Sequence, residues 1–432
     1  MLLKKNRFLL VLMTFMLLYN PPIGRIKSLL VLFAISVIYF LLNYRIVECF
    51  FRKIILAYLI WFALFLYIFI VARSNNNPPS YLQSFIYILA SVIPASFMMT
   101  SITKRRHYDF SYYLDTILYA GSIQSILSIM AFFVGSIKNI FVQLMIRGGV
   151  FQDNTYSDYM QSVRLFGFST GLTFGMPAVQ AFLAIVALFL AINSKRQSIK
   201  YYIMVPLFAF SGIINARTTI VIMGIGIVAL LFSFPRGNFS QKAIRFFRIL
   251  GLVLLAFIVV YFALNIIKSL SPTTFVWFEE GLAQITRFFY GDTSSGYFSY
   301  IADNSKWDLP SGLNLLFGMG IRVMNPNDTG IFTDIGYVND IAFGGIFYAV
   351  ILYMMMLRYT LSIRKHRDVV YPSINRFLCI FFLGSFIVLN YKGYVFDLNN
   401  FFALFIMIVV FCSKLKKRTL ELRIGKTRIN LG

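Results

Sequence analysis

The residue best suited to chemistry in this sequence is Arg217, which lies in the segment Asn-Ala-Arg-Thr-Thr (residues 215–219) between two apolar segments with almost no loop. An arginine stays charged when partly removed from water, and its guanidinium can hold a phosphate through two parallel hydrogen bonds. An ionisable side chain at membrane depth is costly and commonly marks a functional site. The sequence therefore predicts an anion-binding role for Arg217, with extension of the side chain to the lipid headgroups as the alternative.

Four further arginines lie in the two longest polar connections of the chain, and they are Arg147, Arg164, Arg287 and Arg322. Arg164 precedes Leu-Phe-Gly-Phe-Ser-Thr-Gly (residues 165–171), whose glycines would let the backbone approach a ligand closely. The alternative for each arginine is that it anchors the chain at the membrane surface or pairs with a nearby acid.

Two acids near one apolar segment are candidates for proton transfer. Asp334 lies where the chain enters this segment, and Asp340 lies about two helical turns further in. A carboxylate near apolar surroundings gains basicity and can act as a general base. Capping of the following helix is the alternative for Asp334, since Asp is a preferred N-cap residue. Glu280 and Asp328 are the next candidates for the base.

Several kinds of site are not indicated. The two histidines, His107 and His366, stand apart in basic connections, and the three cysteines form no cluster with metal-ligand spacing. The segment Gly-Met-Gly (residues 318–320) follows no predicted strand, and no Gly-rich loop ending in Lys-Ser or Lys-Thr is present. The sequence therefore predicts neither a metal site nor a cofactor, and it indicates no disulfide framework.

The elements that must position these residues are apolar helices. The chain is 59% hydrophobic and 13% charged over 432 residues, about half the charged fraction of a soluble domain. A membrane span needs about 20 mostly apolar residues. Twelve segments qualify, and we predict an all-α, polytopic membrane protein with a single domain, residues 1–432. The segments are 8–22, 26–42, 54–72, 81–100, 111–136, 172–192, 201–215, 218–234, 249–267, 335–357, 377–391 and 398–413.

The distribution of charge predicts the orientation. Of the 40 Lys and Arg residues, 28 fall in the two termini and in every second connection, whereas 11 of the 16 acids fall on the opposite side of the predicted membrane. Basic residues concentrate on the cytoplasmic side of membrane proteins, so both termini are predicted to be cytoplasmic. The same pattern accounts for the net charge of +24 without a nucleic-acid partner.

Two connections on the predicted outer side, residues 137–171 and 268–334, are much longer than the others. In the second, Ser271-Pro272 is typical of a helix start. Apolar residues Phe278, Leu282, Ile285 and Phe289 then recur at helical spacing, with Glu280, Gln284 and Arg287 on another face. This pattern predicts an amphipathic helix on the outer leaflet. Residues 140–145 indicate a shorter helix in the first connection.

Taken together, the chain resembles the bacterial O-antigen and capsular polysaccharide polymerases, the Wzy family, which is related to the O-antigen ligases. The likeness extends over the whole chain in its twelve spans, its two cytoplasmic termini and its two enlarged outer loops. Its local signals, in chain order, are Arg164-Leu-Phe-Gly, Ala216-Arg217-Thr-Thr, Leu316-Phe-Gly-Met-Gly, Thr333-Asp-Ile-Gly-Tyr and Phe343-Gly-Gly.

This resemblance implies a glycosyltransferase in the bacterial inner membrane that joins repeat units carried on undecaprenyl pyrophosphate at the periplasmic face. It implies catalytic roles for Asp334, Arg217 and Arg164, and substrate contacts for Arg287, Arg322 and Glu280. The partners would be the lipid-linked glycan and the bilayer, and a chain-length regulator is an open question.

Two alternatives remain. The first is a flippase for lipid-linked oligosaccharides, which would need a polar or cationic cavity through the bilayer. The second is an O-antigen ligase. These ligases usually depend on a histidine in the large outer loop, and residues 268–334 contain none.

Overall fold

The fold is almost entirely helical in a computed structural model of the chain. The structure describes residues 2–23, 26–77, 82–106, 108–148, 167–169, 175–193, 199–233, 272–290, 299–300, 303–323, 333–366 and 399–413, most of 368–396 and part of 247–269. Arg164, Asp328 and the C-terminal residues 414–432 lie outside this part, so the predictions for them stay predictions.

The helices, numbered in chain order, are α1 (Leu2–Tyr19), α2 (Ser28–Leu42), α3 (Tyr44–Ser74), α4 (Gln83–Tyr87), α5 (Ile93–Arg105), α6 (Phe110–Phe133), α7 (Gly135–Arg147), α8 (Gly175–Asn193), α9 (Ile199–Ile213), α10 (Thr218–Ser233), α11 (Pro272–Phe289), α12 (Leu313–Phe317), α13 (Gly336–Lys365), α14 (Ile374–Leu389) and α15 (Asn400–Cys412). Two short strands, β1 (Pro22–Ile23) and β2 (Ile26–Lys27), pair antiparallel.

Five of the helical segments in the described part are long and apolar enough to cross a membrane. They are Ile55–Ser74, Gln83–Arg105, Phe110–Phe133, Gly175–Asn193 and Gly336–Lys365. Six shorter apolar helices accompany them, each within one of the predicted spans or nearly so. The all-α prediction and the prediction of a membrane protein agree with this architecture.

Two predicted connections are wrong in their bounds, because a helix extends into each of them. Residues 43–53 were expected to form a loop, but α3 already begins at Tyr44. Residues 358–376 were expected to form another, but α13 continues to Lys365. Arg and Lys are good helix formers, so a helix continues past the end of its apolar segment when the polar side chains can reach water.

Pro94 is accommodated by a change of helix type. Residues Ile88–Val92 form a π-helical turn between α4 and α5, and Pro94 then falls at the start of α5. A proline is tolerated at a helix start because its missing N–H would have no helical partner there. Pro206, in contrast, lies inside the continuous α9.

The core of the bundle is α8, whose residues from Gly175 to Ile192 are all buried. It packs against α6, α9, α10 and α15. Alanines recur along it at positions 178, 181, 184, 187 and 191. Small residues let neighbouring helices approach closely, which drives association in a membrane.

We call the end of the bundle that carries Tyr19, Gly175, Thr218 and Asn400 the outer end, following the predicted orientation. The end that carries the start of α1 is called the inner end.

Helix α13 is broken at Gly345, where the backbone adopts φ 74° and ψ 178°. The break is filled by the segment after α12. The N–H groups of Met319 and Gly320 donate to the carbonyls of Ala342 and Phe343 at 2.7 and 3.0 Å. The Tyr67 hydroxyl, from α3, donates to the Gly344 carbonyl at 2.9 Å. Three successive carbonyls therefore have partners outside the helix.

Gly345→Ala should destabilise the protein strongly. A residue with a side chain rarely adopts this positive φ, which costs about 1–3 kcal/mol. A Cβ would also collide with the Leu316 carbonyl. We expect a clear loss of thermal stability in detergent. Gly224→Ala, in α10, is the control because a Cβ there meets no atom within 4 Å. Equal melting temperatures for the two variants would contradict the broken helix.

Candidate functional site

Arg217 lies in a compact turn that joins α9 to α10. The turn is closed by backbone hydrogen bonds from Ala216 N to the Gly212 carbonyl at 3.0 Å and from Thr219 N to the Ala216 carbonyl at 3.1 Å. Asn215, Ala216, Thr218 and Thr219 are buried, whereas Arg217 is partly buried. Arg217 is therefore the least buried residue of this turn at the outer end.

Helix α11 contacts this turn through one side chain of its polar face. Arg217 Nη1 donates a long hydrogen bond of 3.5 Å to Gln284 Oε1. Glu280 and Arg287 lie four residues before and three residues after Gln284, so the three side chains share a face. Both Glu280 and Arg287 are exposed. The predicted helix is therefore present, and it brings Gln284 of its polar face to Arg217.

A layer of buried polar groups continues from this turn into the bundle. Gly212 lies against the side chains of Thr219 and Gln180. The Gln180 Oε1 accepts from Ser125 Oγ at 3.0 Å, and its Nε2 donates to the Tyr19 hydroxyl at 3.2 Å. Sequence reasoning missed this layer, although a lone glutamine in an apolar helix is a detectable signal because a buried amide requires partners.

Asp334 lies at the start of α13 and is partly buried. Its backbone N–H donates to the Tyr300 hydroxyl at 2.8 Å. Burial raises the pKa of Tyr300, and a hydrogen bond to the Asp334 side chain raises this pKa further. The phenol therefore stays protonated, and its hydrogen bond with the Asp334 backbone fixes this residue.

The alternative that Asp334 caps α13 is wrong. The N-cap residue is Ile335, and it makes no side-chain cap hydrogen bond. Its N–H instead donates to Thr333 Oγ1 at 3.1 Å. The Asp334 carboxylate is therefore not used for capping.

Arg322 and Asp340 form a buried ion pair. Arg322 Nη1 lies 2.7 Å from Asp340 Oδ1, with side-chain exposures of 3% and 0%. Asp340 Oδ2 accepts from the Tyr353 hydroxyl at 2.9 Å and from Asn390 Nδ2 at 3.3 Å. The Arg322 guanidinium also stacks 4.4 Å from the centre of the Phe343 ring. This contact set compensates both charges inside the protein.

A second buried contact ties the same loop to the start of α13. The Asn339 Oδ1 accepts from Val323 N at 3.0 Å, and its Nδ2 donates to the Thr333 carbonyl at 2.7 Å. The carbonyl of Val323 accepts from Thr333 N at 3.0 Å. Asn339 binds Val323 and Thr333, and Arg322 binds Asp340. These contacts hold residues 323 and 333 in place, and they thereby fix Asp334, which follows Thr333.

The remaining predicted site residues are Arg147 and Arg164. Arg147 is exposed at the end of α7. Arg164 lies outside the described residues. Within the part of the chain that the structure describes, no group of three His, Cys, Asp or Glu residues is placed to hold a metal ion.

Comparisons of the chain with protein-family models, with curated proteins and with solved structures found no match.

The Arg322–Asp340 pair should show strong thermodynamic coupling. Arg322→Met or Asp340→Asn alone leaves one charge buried without its counter-ion, at a cost of about 3–5 kcal/mol. The double variant removes both charges, and Met keeps an apolar contact with the Phe343 ring. We expect thermal unfolding in detergent to show that the double variant is more stable than either single variant. Additive losses would contradict this account.

Proposed function

We propose that this chain is an inner-membrane glycosyltransferase that polymerises oligosaccharide repeat units carried on undecaprenyl pyrophosphate. In this proposal the chain crosses the membrane twelve times, both termini are cytoplasmic, and residues 137–171 and 268–334 lie in the periplasm. The product is an O-antigen, a capsule or an exopolysaccharide.

The contact between Arg217 and Gln284 carries the proposal. It joins the polar face of an amphipathic helix to a turn with a cationic side chain at the outer end of the bundle. Arg287 lies about 4.5 Å further along that face. Two guanidinium groups on the same side suit a pyrophosphate, and the apolar face of α11 would border the lipid tail. A soluble substrate would not need the apolar face of α11.

The chemistry requires charge stabilisation and one proton transfer. The acceptor hydroxyl attacks the anomeric carbon of the donor glycan, and the bond to the pyrophosphate oxygen breaks. Negative charge then builds on the departing undecaprenyl pyrophosphate, where Arg217, Arg164 and Arg287 stabilise it. No nucleotide is consumed, because the pyrophosphate is already a good leaving group.

In the same proposal, Asp334 accepts the proton of the attacking hydroxyl. The hydrogen bond between its backbone N–H and the Tyr300 hydroxyl supports this role by fixing the position of the residue. Glu280 contributes to acceptor binding on the polar face of α11. In this proposal Arg322 positions the segment that carries Asp334, because its charge is compensated by the buried Asp340.

A flippase is the second candidate, and the broken helix α13 is the feature to weigh for it. Broken helices such as α13 occur at the substrate sites of transporters, where free backbone groups face the substrate. Here the carbonyls of residues 342–344 are occupied by Met319, Gly320 and Tyr67. The break therefore supports a structural junction better than a transport site. A flippase would move lipid-linked units between leaflets of a vesicle without lengthening the glycan.

Arg217 variants test the pyrophosphate contact. The assay gives purified protein an undecaprenyl-pyrophosphate repeat unit and follows the glycan ladder on a gel. We expect Arg217→Ala to lower the rate about 100-fold or more, and Arg217→Lys to lower it less, because Lys keeps the charge but loses the bidentate geometry. Arg73→Ala, an exposed arginine at the end of α3, is the control. Normal ladders from Arg217→Ala would end this assignment.

Asp334→Asn tests the base. The amide keeps the size of the side chain, and the backbone bond to Tyr300 is retained, so the fold should survive. We expect a decrease in rate of about 100-fold or more, with binding of the lipid-linked unit retained. Binding and turnover are measured separately on the same preparation. A normal ladder from this variant would mean that the proton acceptor lies elsewhere.

The orientation is tested by labelling a cysteine introduced at Ser305, an exposed residue of the short 3₁₀ turn Asn304–Trp307. We expect a membrane-impermeant thiol reagent to label Ser305→Cys in intact spheroplasts, because residues 268–334 lie outside in the proposed topology. The unsubstituted protein is the control for its native cysteines. Labelling of Ser305→Cys only after lysis would reverse the orientation.

A further inference from the structure

A compact charged cluster joins three helices at the inner end of the bundle, far along the helices from the outer-end residues. Asp115, in the second turn of α6, accepts from Arg7 Nη2 at 3.1 Å and from Lys200 Nζ at 2.7 Å, both on Oδ2. The Tyr201 hydroxyl donates to its other oxygen at 2.7 Å. One carboxylate therefore holds a residue from α1 and two from α9.

Tyrosine rings complete the walls of the cluster. The Arg7 guanidinium carbon lies 5.1 and 4.5 Å from the ring centres of Tyr112 and Tyr119. Lys200 Nζ lies 5.5 Å from the centre of the same Tyr119 ring and 4.4 Å from that of Tyr201. The two cations are thus held in fixed positions before any ligand arrives.

The cluster carries an excess positive charge. Two cations share one carboxylate, so the three charged side chains sum to +1. Arg7 and Lys200 keep 33% and 32% of their side-chain surface exposed, against 16% for Asp115. Each cation has more N–H donors than it uses on Asp115. The cluster therefore presents charge and donors outward to an anion.

Exposed apolar side chains neighbour the two cations along their helices. Phe8, next to Arg7 in α1, is 69% exposed, and Ile199 and Ile203, beside Lys200 in α9, are 75% and 60% exposed. Asp115 lies five residues into α6, about 8 Å along the helix axis. Anion-binding groups at the helix ends, with the exposed Phe8 and Ile203 on their side towards the middle of the bundle, match the two parts of a phospholipid.

We propose that Arg7, Lys200 and Asp115 form a binding site for the phosphate headgroup of an anionic phospholipid at the inner end of the bundle. The two cations bind the phosphate, Asp115 holds them together against their mutual repulsion, and the exposed side chains of α1 and α9 contact the acyl chains. Basic pockets between membrane helices recognise anionic lipids in this way. The site is independent of the proposed glycosyltransferase activity.

Native mass spectrometry of the detergent-purified protein tests the site. The protein is titrated with phosphatidylglycerol and phosphatidylcholine of identical acyl chains. We expect phosphatidylglycerol to bind about fivefold more tightly or better, as expected for one basic side chain near a lipid surface. Equal affinity of the unsubstituted protein for the two lipids would overturn the proposal without any variant.

The triple variant Arg7→Gln/Asp115→Asn/Lys200→Gln removes the three charges and keeps hydrogen-bonding groups at each position. We expect it to lose the preference for phosphatidylglycerol. Arg364→Gln/Lys365→Gln is the matched control. These exposed residues lie at the end of α13, in a different basic connection, and their substitution lowers the net charge by more than the triple variant does. The control should keep the preference. Loss of the preference in the control alone would assign lipid binding to general surface charge.

A third arm separates a lipid from a soluble anion. Glycerol phosphate carries the same phosphate chemistry without acyl chains. We expect millimolar glycerol phosphate not to displace phosphatidylglycerol. Displacement at that concentration would show a site for a free phosphate and would overturn the assignment to a lipid.

Discussion

Where α13 breaks at Gly345, the carbonyls of three successive residues lose their helical partners inside a mainly apolar bundle. An unpaired backbone group in such surroundings costs several kcal/mol, so the break persists only because other groups supply the hydrogen bonds. Met319 and Gly320 supply two N–H groups, and Tyr67 supplies a hydroxyl. This requirement fixes the segment after α12 against α13 and fixes α3 against both.

The ion pair between Arg322 and Asp340 follows from the same arrangement. Once Met319 and Gly320 are bonded to α13, Arg322 lies beside the helix and its charge must be compensated within the protein. Asp340, Tyr353 and Asn390 provide this compensation, and the Asn390 carbonyl also accepts from Gly336 N at 2.7 Å. The first turns of α13 and the end of α14 are thereby joined, and Asp334 is presented at a defined position at the outer end.

The two proposed working parts therefore depend on different kinds of constraint. Asp334 is positioned by buried polar contacts, which are rigid because every member is satisfied. Arg217 is positioned by a tight turn on the central helix α8, and its contact with Gln284 belongs to a partly exposed surface.

Much of this architecture was predictable from the sequence, because hydropathy and charge act over single segments. The apolar segments gave the helices, and Pro272 with the spacing of Glu280, Gln284 and Arg287 gave α11. The errors at residues 43–53 and 358–376 arose because basic residues that end a membrane span also continue a helix. Neither the resemblance to polysaccharide polymerases nor the twelve-span topology follows from the fold alone.

The pairings were decided only in the tertiary structure. Arg322 and Asp340 are 18 residues apart, and Arg7 and Asp115 are 108 apart. Nothing in either local pattern distinguishes an arginine that binds substrate from one that neutralises a buried acid. Sequence determines which segments leave water and which charges remain near them. Which charge meets which depends on how the helices pack, because a charge inside the bundle is tolerated only where packing brings its partner within a few ångströms.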